Sequence, residues 1–184
     1  MNTTYSKSNA VALALCGLFA ALTVICSWIS VPLGFTPIPV NLATLAVFLA
    51  GGLLGPKYGT TSMIVYTLLG AVGIPVFAGF RGGVGVLAGP TGGYIIGYIL
   101  AALIIGLLLQ SLKTHPVVRC VVALICGLAT CYALGTAWFM ISTNTGFVAA
   151  MLSCVVPFLL GDALKIIAAT ILILRLRKHI TAIV

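Results

Sequence analysis

Acidic residues are almost missing from this sequence: among 184 residues there is one, Asp162, against nine Lys or Arg. Charge of either sign is scarce, at 5% of residues, where globular domains carry about 25%. So thin a polar cover cannot solvate a soluble surface. With 62% of the residues hydrophobic, the apolar side chains must face lipid. An all-α integral membrane protein follows, one domain over residues 1–184, with no hydrophilic tract for a soluble catalytic module. The formal charge of +8 does not indicate nucleic acid, because the bases are scattered between apolar runs rather than clustered on a solvated face. Metal-site spacing is missing too. Cys16, Cys26, Cys120, Cys126, Cys131 and Cys154 lie in apolar runs with no C-x-x-C pair, and such cysteines behave as small hydrophobes.

What is present is a succession of long apolar stretches divided by breakers. A transmembrane helix needs about 20 predominantly apolar residues. The first runs over 10–31 and stops at a Pro-rich segment, 32–39, that cannot continue a helix. The second covers 40–54 and ends at Gly55-Pro56-Lys57; the third covers 59–77, kinked near Gly73-Ile-Pro75. A Gly-rich segment, 78–93, separates it from the fourth at 94–112. His115-Pro116 starts the fifth, which lasts to about 140. Residues 147–156 are apolar but too short to span, and Pro157 opens the sixth, 157–177. Six transmembrane helices are expected. The first run exceeds the 7–15 residues of a signal-peptide core, so it reads as a retained helix.

The basic residues orient these spans. With the N-terminus cytoplasmic, Lys7, Lys57, Lys113, Arg119, Arg175, Arg177 and Lys178 fall inside, and Arg81 alone falls outside. Seven against one is a strong positive-inside bias. Both termini are expected in the cytoplasm.

The segment 82–93 formally matches a dinucleotide fingerprint, G-x-G-x-x-A, at 83–88. That motif needs an acid about 20 residues later, and none occurs before Asp162. Pro90 stands where a phosphate-binding loop needs Lys, so that reading fails as well. Two readings of the glycines remain: a flexible outer loop, or irregular backbone lining a cavity. Arg81 is correspondingly a solvated loop residue or a bidentate partner for a carboxylate.

Asp162 and Lys165 stand three apart, hence on one helical face. A charge at mid-membrane costs about 2.5–3.5 kcal/mol on translocon scales, which makes intramembrane ionisable residues functional candidates. The plain alternative is a self-satisfied ion pair. As a site, the two offer one acceptor and one donor, the complement of a ligand bearing N–H and C=O. If Pro157 begins the helix, Asp162 lies little more than one turn inside its outer end, and a pocket opening outward is implied. In the first helix Ala10, Ala14, Gly17 and Ala21 form a stripe of small residues. Such stripes allow close helix approach, either within the chain or to a partner subunit.

Three blocks carry a resemblance: 35–45 (FTPIPVNLATL), 73–94 (GIPVFAGFRGGVGVLAGPTGGY) and 157–165 (PFLLGDALK). Together they resemble the signature blocks of the BioY family, the biotin-binding S components of energy-coupling-factor (ECF) transporters, over nearly the whole chain. The resemblance implies a six-helix S-component fold that captures biotin from outside. It implies docking through Ala10, Ala14, Gly17 and Ala21 onto a membrane coupling protein driven by two ATPases. Asp162 and Lys165 are then expected to hold the ureido ring, carboxylate to N–H and ammonium to C=O. Arg81 and the Gly-rich backbone would cover the site and meet the valerate carboxylate. Asn41, Phe77, Gly79, Gly82, Gly83, Thr91 and Tyr94 complete the expected binding set. One departure is visible: where the family often has P-V-T-L-Q, this chain has Asn41 and Ala43.

Other functions remain to be separated from this one. A related S component would bind another vitamin, such as thiamine. A small intramembrane enzyme needs a nucleophile, base or metal set, whereas His115 and His179 fall in an inner loop and tail. A proton-relay transporter working through Asp162 would lose uptake with the proton gradient. No cofactor and no metal are expected.

Overall fold

In a computed structural model of the protein, residues 3–34 and 36–180 are described, with backbone alone at 3–9 and 179. Phe35 and the side chains of Lys7 and His179 lie outside the described part of the chain. The described chain is mostly helical. Helix α1, Thr3–Trp28, ends three residues before the expected point. Ser30–Val31 (β1) instead pairs antiparallel with Val40–Asn41 (β2), in the register Ser30 to Asn41. The prolines between them exclude a helical continuation, and Leu42 N–H donates to the carbonyl of Cys26, 3.1 Å away.

Helix α2, Ala43–Ala71, is broken at Gly55, whose φ of 75° and ψ of −175° no helix contains. Pro56 follows and has no N–H to give. The arms 43–54 and 56–71 fold back on each other, because a Cβ on Gly59 would strike the backbone of Ala50 and Gly51. In a straight helix those positions would lie about 13 Å apart. The second arm runs alongside α1: Ser62 Oγ donates to the carbonyl of Cys16 at 2.8 Å, and Tyr66 Oη to Ser27 Oγ at 3.2 Å. The two expected helices thus exist as arms, each shorter than the roughly 20 residues that cross a bilayer unaided.

After the loop 72–91, which carries the short helix α3, Val84–Ala88, come α4, Gly92–Ser111, and α5, Pro116–Thr143. Residues 147–156, too short to span, form α6, Phe147–Cys154, and a 3-10 turn, Val156–Phe158. Helix α7, Leu159–Ile180, closes the described chain. Among the described residues four segments are long and apolar enough to cross a membrane: Ala10–Trp28, Gly92–Ser111, Pro116–Thr143 and Phe147–Lys178. Small residues bring the central helices together. Gly51 abuts the backbone of Ala102, and Gly97 abuts Cys131, the close approach that drives helix association in lipid. Leu13, Leu18 and Ile25 of α1, and Leu164, Ile167 and Ile171 of α7, point outward.

The helices sort the charges to two ends. Gly106 abuts Pro56, and Arg177 donates to the carbonyl of Leu109 at 3.2 Å. This end therefore gathers Lys57, Lys113, Arg119, Arg175, Arg177 and Lys178. The opposite end holds the β1–β2 pair, the loop 72–91 with Arg81, and the start of α7.

Candidate functional site

At that second end a chamber of about 670 Å³, open mouth included, lies between α2, α4, α5 and α7. Asp162 and Lys165 stand on its wall. Asp162 is in the first turn of α7, where the unsatisfied N–H groups of a helix favour a negative charge. It is 2% exposed and Lys165 8%. The two form an ion pair, Nζ to Oδ1, at 2.7 Å.

They do not stand alone. Thr44, in the first turn of α2, accepts from Lys165 Nζ at 2.9 Å and donates to Asp162 Oδ1 at 3.2 Å. Tyr132 of α5 donates to Asp162 Oδ2. Three helices that are distant in sequence thus converge on one carboxylate. The ammonium has three N–H donors, and its two protein acceptors leave one for a guest. Oδ1 accepts from both Thr44 and Lys165, while Oδ2 has a single protein donor and a lone pair to spare. The ion pair is satisfied internally and still leaves one donor and one acceptor uncommitted on the chamber wall.

The rest of the lining is amphipathic. Tyr66, Tyr98, Ile38, Ile95 and Phe158 supply apolar walls, and Tyr94 Oη donates to the carbonyl of Cys154 at 3.0 Å. Asn41 lines the chamber beside Thr44, with its Oδ1 accepting from Ala43 N–H at 3.0 Å. The loop 72–91 forms the mouth. Phe77 pairs with Arg81 in a backbone bridge, is buried, and meets Tyr66 edge-on at 5.6 Å between centroids. Phe80 takes a left-handed φ of 56° and stacks on Trp28 at 4.9 Å, while Trp28 Nε1 donates to the carbonyl of Pro75 at 2.9 Å. The loop is therefore fastened to the end of α1.

Of the ten expected binding residues, Asp162, Lys165, Arg81, Asn41, Phe77, Thr91 and Tyr94 line the chamber. Arg81 does so from an exposed position, its Nε donating to the carbonyl of Ala78 at 3.3 Å. Gly79, Gly82 and Gly83 are not among the lining residues. They build the loop: Gly79 and Gly83 have φ of 72° and 96°, and a Cβ on Gly82 would strike the carbonyl of Ile74. The loop thus borders the chamber through Phe77, Ala78, Arg81, Val86 and Thr91 rather than through these three glycines.

The sequence reading missed Thr44, Tyr132, Tyr66 and Tyr98. Thr44 had a signal only on the expectation of a helix over 40–54, which puts it on one face with Asn41; in the structure Asn41 belongs to β2 and Thr44 to α2. A tyrosine in an apolar run needs a partner for its hydroxyl, but nothing in the sequence says which. On α1, Ala10, Ala14, Gly17 and Ala21 are all exposed, and a Cβ on Gly17 would meet nothing within 4 Å. The stripe is not used for packing among the described residues. All six cysteines are free, and among the described residues no three His, Cys, Asp or Glu side chains cluster.

Comparison with known proteins places the chain in a family. The family model of the BioY family matches residues 1–182. A biotin transporter BioY of Thermotoga maritima is 44% identical over 163 residues, 88% of this chain and 93% of that one. A probable biotin transporter BioY of Pyrococcus horikoshii is 42% identical over 90% of this chain and 96% of its own. Among solved structures, the S-component for biotin from an ECF-type ABC transporter superposes with a TM-score of 0.87 at 31% identity, covering 97% of this chain and 95% of that one. This chain is a multi-pass membrane protein and belongs to the BioY family.

Proposed function

We propose that this protein is the substrate-specificity subunit of a biotin uptake transporter. It captures biotin in the chamber from the outer side and delivers it inward with an ATP-driven ECF module. The observation that carries the reading is the Asp162–Lys165 pair, held on the chamber wall by Thr44 and Tyr132 with one donor and one acceptor left over. A cyclic urea offers the matching N–H and C=O side by side. Arg81 at the mouth lies at the end where the valerate carboxylate would emerge.

The charge count of the lining separates biotin from a cationic vitamin. Asp162 is cancelled by Lys165, and Arg81 remains, so the charged side chains of the chamber sum to +1. An anionic guest is favoured and thiamine, a cation, is opposed.

On this reading α1, the two arms of α2, α4, α5 and α7 make six membrane passes, the short arms crossing only in the company of the longer helices. The six cations gathered at one end against Arg81 at the other favour a cytoplasmic placement of that end and of both termini. The exposed stripe Ala10, Ala14, Gly17 and Ala21 is the surface we assign to the membrane coupling protein, itself driven by two ATPase subunits. Equilibrium binding of radiolabelled biotin to the purified protein tests the proposal, with unlabelled biotin and thiamine as competitors. Saturable one-to-one binding displaced by biotin alone is expected. Displacement by thiamine would transfer the proposal to another vitamin, and absence of binding ends it.

A further inference from the structure

Four tyrosines line the chamber, and three of them give their hydroxyl hydrogen to the protein. Tyr66 Oη donates to Ser27 Oγ at 3.2 Å, Tyr94 Oη to the carbonyl of Cys154 at 3.0 Å, and Tyr132 Oη to Asp162 Oδ2. Tyr98 is 7% exposed and lines the same chamber, and its O–H finds no protein acceptor among the described residues. A buried tyrosine hydroxyl usually has a partner, so the acceptor for Tyr98 is one that a guest brings. We propose that Tyr98 is a specificity-determining residue of the chamber, donating to the carbonyl oxygen of the bound urea alongside Lys165. The inference rests on the biotin reading above and extends it by one residue.

The hydroxyl is placed from two sides. Tyr98 follows Tyr94 by about one turn of α4, so both rings stand on the face turned to the chamber. At its tip Tyr98 lies beside the side-chain amide of Asn41. Asn41 Oδ1 is engaged by Ala43 N–H at 3.0 Å. Its amide N–H groups are therefore the part of Asn41 left to donate to the Tyr98 oxygen, which turns the Tyr98 O–H away from Asn41. Asn41 acts as a positioning residue. Lys165 Nζ is close by, 2.9 Å from Thr44 Oγ1, and Thr44 lies beside Asn41. A carbonyl oxygen has two lone pairs, whereas Lys165 has one N–H to spare. A urea oxygen held by Lys165 alone would stay half-satisfied in a buried site, at a cost in affinity. Tyr98 supplies the second donor.

Equilibrium binding of biotin, dethiobiotin and 2-thiobiotin to full-length wild-type and Tyr98→Phe protein tests the inference, with melting in detergent measured on the same preparations. Tyr98→Phe should weaken biotin by about tenfold, and dethiobiotin, which keeps the urea, by a similar factor. The thiocarbonyl sulfur of 2-thiobiotin is a poor acceptor, so its loss should be less than about threefold. Because the hydroxyl serves no protein acceptor, the melting temperature without ligand should stay within about 2 °C of wild type. Asn41→Ser keeps an oxygen for Ala43 N–H; it should cost biotin about threefold in the wild-type background and nothing further in Tyr98→Phe. If the wild-type protein binds biotin and Tyr98→Phe binds it within about twofold as well, the inference is overturned while the function stands. Equal losses for biotin and 2-thiobiotin overturn it too, since the hydroxyl would then shape the wall rather than meet the carbonyl. So does a fall in melting temperature of several degrees, which would reveal a protein partner for the hydroxyl. Additive losses in Asn41→Ser and Tyr98→Phe would overturn the positioning role of Asn41. Absence of biotin binding by the wild-type protein ends the function reading itself, and this inference with it.

Discussion

Replacing Asp162 by Asn and Lys165 by Met, singly and together, separates a recognition pair from a purely structural one. In Asp162→Asn the side-chain carbonyl still accepts from Thr44, but Lys165 keeps its charge in a site that is only 8% exposed. Removing one partner of a buried pair costs about 3–5 kcal/mol. For a chain of this size that corresponds to roughly 6–20 °C in melting temperature, taking about 2–4 °C per kcal/mol. Lys165→Met should sit at the lower end of that range. The carboxylate it strands keeps the hydroxyls of Thr44 and Tyr132 and the N-terminus of α7. The double variant has no buried charge left to strand, and pairs replaced by apolar groups of similar volume are often neutral. It should melt within a few degrees of the native protein.

Biotin binding should follow a different course. Both variants remove a hydrogen bond from a charged group, each worth about 1.5–3 kcal/mol. Together they should weaken biotin by about 10²- to 10⁴-fold, and the recovered stability of the double variant should not restore it. The assays are thermal melting in detergent and equilibrium binding on the same preparations. A double variant that is stable and binds biotin within tenfold of the native protein would refute the reasoning, because the pair would then be a structural clasp that merely borders the chamber.

Tyr132→Phe removes only the donor to Asp162 Oδ2; titration with biotin should show a loss of roughly tenfold, smaller than for Asp162→Asn, and the melting temperature should fall by several degrees. Arg81→Ala, at an exposed position, should weaken biotin by less than about fivefold and abolish most of the salt dependence of binding. Gly17→Leu should leave biotin affinity in detergent unchanged while preventing co-purification with the ECF module, since the added side chain meets nothing within the chain. Finally, 2-iminobiotin, in which a protonated guanidinium replaces the urea, turns the acceptor facing Lys165 into a cation. Competition assays at neutral pH should find it at least about a hundredfold weaker than biotin, and equal potency would contradict the assigned donor and acceptor roles.

The parts of this architecture that were legible in the sequence are those fixed by local chemistry. Runs of about 20 apolar residues can only be buried or lipid-facing helices, and Gly55-Pro56 can only interrupt one. A lone acid three residues before a lysine, in an apolar stretch, marks itself. The rest depends on how helices meet. Residues 30–31 and 40–41 read as helix ends by hydropathy, yet the prolines between them leave strand pairing as the way to satisfy their backbone. Thr44 and Tyr132 are ordinary residues in their own helices. They become partners of Asp162 only because Gly51, Gly97 and other small contacts draw α2, α4 and α5 close enough for their hydroxyls to reach it. The glycines 79, 82 and 83 were conspicuous by composition, but composition does not tell a backbone that touches a ligand from one that shapes the loop beside it.

The scarcity of acid also determines how the chamber would discriminate between guests. In the chamber the single carboxylate is matched by Lys165, so the pair contributes no net charge and, on the proposed function, selects by the arrangement of donor and acceptor. In a secluded site this selects by exclusion. A guest that fails to engage the spare N–H of Lys165 or the spare lone pair of Asp162 leaves a desolvated polar group unpaired, at about 1–3 kcal/mol each. On the proposed function, pairing the one acid with Lys165 on α7 makes the pair a reader of hydrogen-bond pattern and leaves discrimination by charge to Arg81 at the mouth.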